Sequence, residues 1–246
     1  MQDHEPENMI KLNRVGVTDL EYPITIVRDS ENYKVIVKLE MSVDLPENLK
    51  GVHVRNFVED LEIPRKTAAV EVLAKEIALS LLKKHKHAKN VHVKLATKLG
   101  YGKGKVANLF GLYEIKDNKE SQMVGVSVRG NSTCPCSVES TTNGNSHNQR
   151  AKILLFIESS NDVDAADLCK IAEKSFSSPL FLSLNKEQEK GIIEDMHKNP
   201  RFIEDIVRWC VVNLRSNFTG RYAKIHGIAY ESLNPFNLFS EWEGIL

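Results

Sequence analysis

The run at residues 33–44, YKVIVKLEMSVD, decides the reading of the fold. Val35, Val37, Leu39, Met41 and Val43 fall at every second position, with Lys34, Lys38, Glu40 and Ser42 between them. A period of two makes a strand with one dry and one wet face, as in an antiparallel sheet covered on one side. Upstream, YPITIV at 22–27 reads as its partner strand, and Ser30-Glu31-Asn32 supplies the hairpin turn. Downstream the period changes. Across 67–84 the apolar residues Val70, Leu73, Ile77 and Leu81 recur at helical spacing, Pro64 lies upstream, and Glu71 and Lys75 form an i,i+4 pair.

Further out, alternating runs at 90–99, 109–116, 122–129 and 151–158 read as strands, and a last one spans 221–230. Helical patterns occupy 163–176, 186–197 and 201–215, with Asn199-Pro200 separating the last two. Asn161 or Asp162 is available to cap the first of these, which turns Leu168, Ile171 and Ala172 inward. Strands, helix, strands, then strand, helices, strand is an α+β order, not the strict alternation of a parallel sheet. It suggests two halves of similar plan, 1–120 and 121–246, although no repeat is visible by residue identity. The polar stretch SVESTTNGNS at 137–146 reads as a loop, and Gly100-Tyr-Gly-Lys-Gly-Lys105 as a turn, since it lacks the phosphate-loop spacing.

The chain has 246 residues, 33 basic and 33 acidic, and 41% are hydrophobic. It can therefore build a core, and its neutral charge gives no bias toward polyanions. The densest basic run, Lys83 to Lys89, lacks interleaved aromatics and reads as a solvated helix terminus, so no nucleic-acid partner is expected. No window approaches the roughly 18–20 apolar residues of a membrane span, and the start is acidic and polar, unlike a signal peptide. The expectation is a cytoplasmic protein with no membrane partner. Cys134 and Cys136 are too close in sequence to pair readily, while Cys169 and Cys210 fall in apolar helical patterns as small buried side chains.

Chemistry concentrates around the polar loop. Thr133-Cys134-Pro135-Cys136-Ser137 follows one strand, and His147-Asn148-Gln149-Arg150 opens the next. A thiolate and an imidazole at the two ends of one loop can meet on a borderline-soft divalent ion, though two ligands need at least one more. A Cys–His nucleophilic dyad, or a tight strand exit beside a capping histidine, would use the same residues differently.

Taken together, GVTDLEYPI (16–24), MSVDLPENLKGVHVRNFVEDLE (41–62), STCPCS (132–137), SHNQRA (146–151), IAEKSFSSP (171–179) and NPRFIEDIVR (199–208) resemble the type IB GTP cyclohydrolases. The resemblance runs in order over almost the whole chain and includes the archaeal branch that starts methanopterin synthesis. It implies a tunnelling fold, two antiparallel-sheet-plus-helices halves per chain, joined edge to edge into a homotetramer. It also implies a substrate, GTP, whose imidazole ring is opened at C8 by metal-activated water with release of formate, giving a dihydroneopterin phosphate, cyclic in the archaeal branch. By the same resemblance Cys134 and His147 are metal ligands, with Fe²⁺ first and Mn²⁺ or Zn²⁺ as alternatives. Glu194 anchors the guanine, His53 stands in or near the pocket as a proton-transfer residue, and Arg150 faces a substrate phosphate or braces the loop.

The chain departs from the family at three places. Pro179 stands where bacterial members carry a glutamate ligand, LFLSLNKEQEK replaces the usual LLKRPDE, and the C-terminal ESIHxH pattern becomes Glu231-Ser232-Leu233-Asn234-Pro235-Phe236. Two of four expected ligands are thus absent, so the metal would be held loosely, completed by other groups such as His226 or Glu231, or not bound. The alternative function is a purine- or pterin-binding relative that has lost hydrolysis.

Overall fold

The computed structural model describes residues 2, 4–28 and 31–246. It shows an α+β fold with a large antiparallel sheet, and the chain divides into two compact units, each built by its own local logic.

The first unit comprises residues 1–97, 109–124 and 159–162. Its strands follow the order β1 (Leu12–Arg28), β2 (Glu31–Leu45), β3 (Val91–Gly102), β4 (Lys105–Lys116) and β5 (Lys119–Thr133), the last three running on into the second unit. β1 is far longer than the six residues its alternation suggests. Its register shifts twice against β2, and Asp19 adopts a positive φ of 57° at the second shift, so the apolar period is interrupted there. Between the two shifts Gly16 permits a close approach of the strands: a Cβ would lie 1.9 Å from the Met41 carbonyl oxygen. The expected turn at 30–32 falls partly outside the described residues; Glu31 and Asn32 already belong to β2.

After the short α1 (Arg55–Val58), α2 (Val70–Lys84) lays Leu73, Ala74, Ile77 and Leu81 on the dry sheet face of Leu39, Met41, Val43, Val93 and Leu95. All are buried, and each large side chain contributes roughly 1.5–3 kcal/mol by leaving water. Two details differ from the sequence reading. Glu71 does not pair with Lys75: it points inward and accepts the Ser159 hydroxyl at 2.9 Å, while Lys75 reaches Glu120 at 2.6 Å. The basic run is not uniformly solvated either. Lys84 bonds Asp60 at 2.7 Å, and His85 is buried against Phe57.

The second unit comprises residues 98–108, 125–158 and 163–246. From the end of β5 the chain forms α3 (Pro135–Ser140), β6 (Asn148–Glu158), α4 (Ala165–Lys174), β7 (Ser178–Pro179), α5 (Lys186–Lys198), α6 (Ile203–Arg215), β8 (Tyr222–Ala229) and β9 (Leu238–Ile245). β6, β8 and β9 pair antiparallel in that order, and β7 pairs with β5. Leu168 and Ala172 of α4 and Ile206, Cys210 and Leu214 of α6 are buried, as are Ile153, Leu155, Ile157 and Ile225 of the sheet. Cys169 and Cys210 have no exposure, and burial pushes both thiols up to about 12. The cap of α4 is neither Asn161 nor Asp162 but Asp164, whose carboxylate accepts the Ala166 N–H. The loop expected at 137–146 begins with a turn and a half of helix, because Pro135 at the first helical position pre-sets the backbone. None of the described helices is long and apolar enough to cross a membrane.

Candidate active site

β5 delivers the cysteine. Gly130 lies so close under Phe176 that a Cβ would stand 2.2 Å from its ring, and Gly130 and Asn131 pair with Pro179 and Ser178 of β7. Ser132 and Thr133 are buried, and Cys134 then takes the extended N-cap position of α3 with a half-buried free thiol. Cys136 is exposed.

The polar loop folds back through local hydrogen bonds. Thr141 donates its hydroxyl to the Asn145 carbonyl at 2.6 Å, and Gly144 takes a φ of 64° that suits glycine. Its two ends are tied together: the Cys134 N–H donates to the His147 carbonyl at 3.3 Å, and the Ser146 hydroxyl donates to the Cys134 carbonyl at 2.8 Å. The structure thus makes Cys134 and His147 direct backbone neighbours.

The His147 ring is oriented from β8's side. Nδ1 lies 2.9 Å from the Ser232 hydroxyl. When Nδ1–H donates to that oxygen, Nε2 keeps its lone pair outward, which is the tautomer a metal ligand requires. Next along β6, Asn148 accepts the Thr133 hydroxyl at 2.7 Å, and Gln149 donates to Glu231 at 2.8 Å. Gln149 Oε1 is buried with no hydrogen-bond partner, an orphaned acceptor two residues along the chain from His147. Arg150 is exposed, and its carbonyl accepts the Tyr230 N–H at 2.8 Å, so the segment from Tyr230 to Ser232 is pinned beside β6.

The remaining predicted residues lie on other elements of the chain. Glu194 is exposed on α5, 3.8 Å from Lys190, with no hydrogen bond to Cys134 or His147. His53 belongs to the first unit, exposed at the entry to α1, where its carbonyl accepts the Asn56 N–H. His226 pairs with Glu241 at 2.6 Å and faces Leu154 across the β6–β8 ladder. Leu154 is seven residues from His147, roughly 23 Å at strand rise, so His226 does not serve this site as an ion ligand. Glu231 is tied to the same segment, one residue before Ser232 and hydrogen-bonded to Gln149.

Among the described residues no three His, Cys, Asp or Glu side chains are already gathered around one point. The donor types nevertheless fit a borderline divalent ion: thiol, imidazole, the Glu231 carboxylate nearby, and an unsatisfied amide oxygen. Ser232 and Gln149 were not singled out by sequence reading. The signal was the run Glu231-Ser232 inside the altered C-terminal motif, where the missing histidines draw the eye instead.

The fold class is shared with a solved protein of different sequence. Uricase from Arthrobacter globiformis superposes with a TM-score of 0.57 at 9% identity, covering 95% of this chain and 93% of that one. Sequence identifies the family within that fold: residues 1–240 match the family model described as type I GTP cyclohydrolase folE2. The GTP cyclohydrolase FolE2 of Citrifermentans bemidjiense is 31% identical over 243 residues, spanning 95% of this chain and 90% of that protein. The GTP cyclohydrolase MptA of Pyrococcus abyssi is 31% identical over 261 residues, spanning 98% and 97%. The chain belongs to the type I GTP cyclohydrolase FolE2 family.

Proposed function

We infer that this chain is a GTP cyclohydrolase acting at the head of a pterin pathway. It would open the guanine imidazole ring at C8, release formate and close a dihydroneopterin phosphate. The observation that carries the reading is the joining of Cys134 and His147 by a direct backbone hydrogen bond, with His147 Nδ1 held by Ser232. Those two residues would hold the ion, Fe²⁺ first and Mn²⁺ or Zn²⁺ next, with Glu231, beside Ser232 and bonded to Gln149, as the carboxylate that would join them. A divalent ion there supplies Lewis acidity and lowers the pKa of water.

The protein's own groups do the rest. Ser232 fixes the imidazole, and Gln149 holds the Glu231 carboxylate beside it. Glu194 accepts from the guanine N1–H and 2-amino group, which a carboxylate can do in bidentate fashion. Arg150, exposed at the start of β6, meets a phosphate; His53 moves a proton. In the archaeal reading the phosphate is cyclic, a hydroxyl of the product's side chain displacing diphosphate from the α-phosphorus. Halves at 1–120 and 121–246 with a tunnelling plan, a homotetramer and a cytoplasmic setting complete the proposal.

Anaerobically purified protein given Fe²⁺ or Mn²⁺ and GTP should release formate and a product that becomes fluorescent on oxidation. Folded protein that yields no formate with any of the three metals would sink the reading. Asn234 and Phe236, exposed in place of the family's histidines, favour the second reading, a purine- or pterin-binding protein without hydrolysis. In that case GTP would raise the melting temperature and remain intact.

A further inference from the structure

A closed ring of hydrogen bonds lies immediately behind the cysteine and involves none of the groups assigned above. The Arg201 N–H donates to the Thr133 carbonyl at 3.0 Å, and the Ser132 hydroxyl donates to the Arg201 carbonyl at 2.8 Å. The Arg201 guanidinium donates to the carbonyls of Lys174 at 3.0 Å and Ser175 at 2.7 Å, at the last turn of α4, and through Nε to Asn199 Oδ1 at 3.1 Å. Asn199 in turn donates Nδ2 to the Ser177 carbonyl at 3.2 Å, and the Ser177 hydroxyl accepts the Thr133 N–H at 3.1 Å. Thr133, Arg201, Asn199 and Ser177 thus close on one another.

The arginine is invested in backbone, not in an ion pair. The open carbonyls of a helix C-terminus form a partial negative charge that suits a cation, and the planar fork reaches several of them at once. Trp209 lies under the guanidinium, 4.9 Å from its centre. Burial lowers the guanidinium pKa, with Asp205 acting the other way, yet arginine keeps its charge at any ordinary pH.

The placement has a consequence for the site. Thr133 precedes Cys134, and Asn199 is the C-cap of α5, the helix that carries Glu194. Glu194 lies five residues before Asn199, roughly 7.5 Å along the helix axis. We propose that Arg201 and Asn199 are positioning residues that set Cys134 relative to α5 through Thr133 and Ser177, and so tune the grip on both the ion and the guanine. The proposal rests on the assignment of Cys134 and Glu194 given above. The side-chain fork does this work, because the backbone bonds of Arg201 survive substitution.

The test uses Co²⁺ as a spectroscopic probe, since a thiolate ligand gives a charge-transfer band that Cys134→Ala removes. Arg201→Met should weaken Co²⁺ binding about tenfold, the scale of groups that orient ligands without touching the metal, and raise the KM for GTP. Arg201→Lys should fall between it and the wild type. Val126→Ala, a core change in the same unit, serves as the control for general loss of stability. If Arg201→Met fails to fold, Asn199→Ala carries the same expectation. Unchanged Co²⁺ affinity and KM in these variants, or an equal effect from Val126→Ala, would overturn the proposal alone. A wild-type spectrum identical to that of Cys134→Ala would overturn the ligand assignment, and the proposal with it.

Discussion

Cys134 and His147 were legible in the sequence because both lie at strand ends flanking one polar loop, so chain connectivity alone nearly forces them together. Ser232 was not, since it meets His147 from 85 residues away and only the pairing of β6 with β8 brings it there. That contact makes a specific prediction. Ser232→Ala leaves the donor atoms intact but frees the ring, and metal retention should fall about tenfold. Cys134→Ala should abolish retention, and Cys136→Ala, at an exposed thiol, should leave it near wild type. Metal content after dialysis against a weak chelator measures all three. Equal loss from the two cysteine variants would mean the wrong sulfur has been chosen.

At the scale of elements, long periodic runs such as α2 and β2 could be read directly, whereas β9, the bulged half of β1 and α3 could not. β9 (LFSEWEGI) alternates, but it sets Phe239, Glu241 and Glu243 on one face, so neither side reads as dry. The end of α2 shows a different conflict. A cation at a helix C-terminus is worth about 0.3–1 kcal/mol, which favours a charged His85. Burial opposes it, with His87, His53 and Lys84 pressing in the same direction, and lowers the pKa to about 4. Desolvation wins, so folded His85 is neutral. Below pH 6.5 the unfolded chain takes up a proton that the folded chain refuses, and stability falls from there toward pH 4. In urea titrations at pH 7 and pH 5, the wild type should lose about 1–2 kcal/mol more than His85→Leu. Parallel losses in the two proteins would refute a buried neutral histidine. α5 depends on its ends, since Met196 is its one buried residue among those described, and Asn185 with Gln188 forms a capping box at its start. Asn185→Ala should cost about 1 kcal/mol and, by fraying the helix that presents Glu194, raise the KM for GTP with little change in kcat. A fall in kcat alone would place Glu194 elsewhere than at the guanine.

For the whole molecule, an α+β sheet with one covered face was legible from residue periods, but assembly was not, because the edge of a sheet is backbone and leaves no side-chain signature. β9 ends the strand order, and among the described residues its outer edge has no partner. The register shows which of its groups face outward. Leu246 N–H bonds the Arg221 carbonyl, and hydrogen-bonded and open pairs alternate along an antiparallel ladder. Stepping back from Leu246, residues 244, 242 and 240 point their N–H groups at β8, while 245, 243, 241 and 239 point theirs outward. Glu243→Pro therefore removes an outward donor without breaking the backbone bonds to β8, at the loss of the exposed side-chain contacts to Tyr222 and Lys224, and proline blocks strand addition at an edge. Should edge-to-edge pairing through β9 build the proposed homotetramer, wild-type protein would sediment at about 111 kDa, four copies of 27.8 kDa, and Glu243→Pro would sediment as a smaller species with an unchanged far-ultraviolet spectrum. Formate release separates the remaining possibilities. Its loss on dissociation, with Co²⁺ binding at Cys134 retained, would mean that a second copy contributes to the substrate pocket and not to the ion. A Glu243→Pro protein that still sediments as the wild type would show that β9 is not the edge through which copies join.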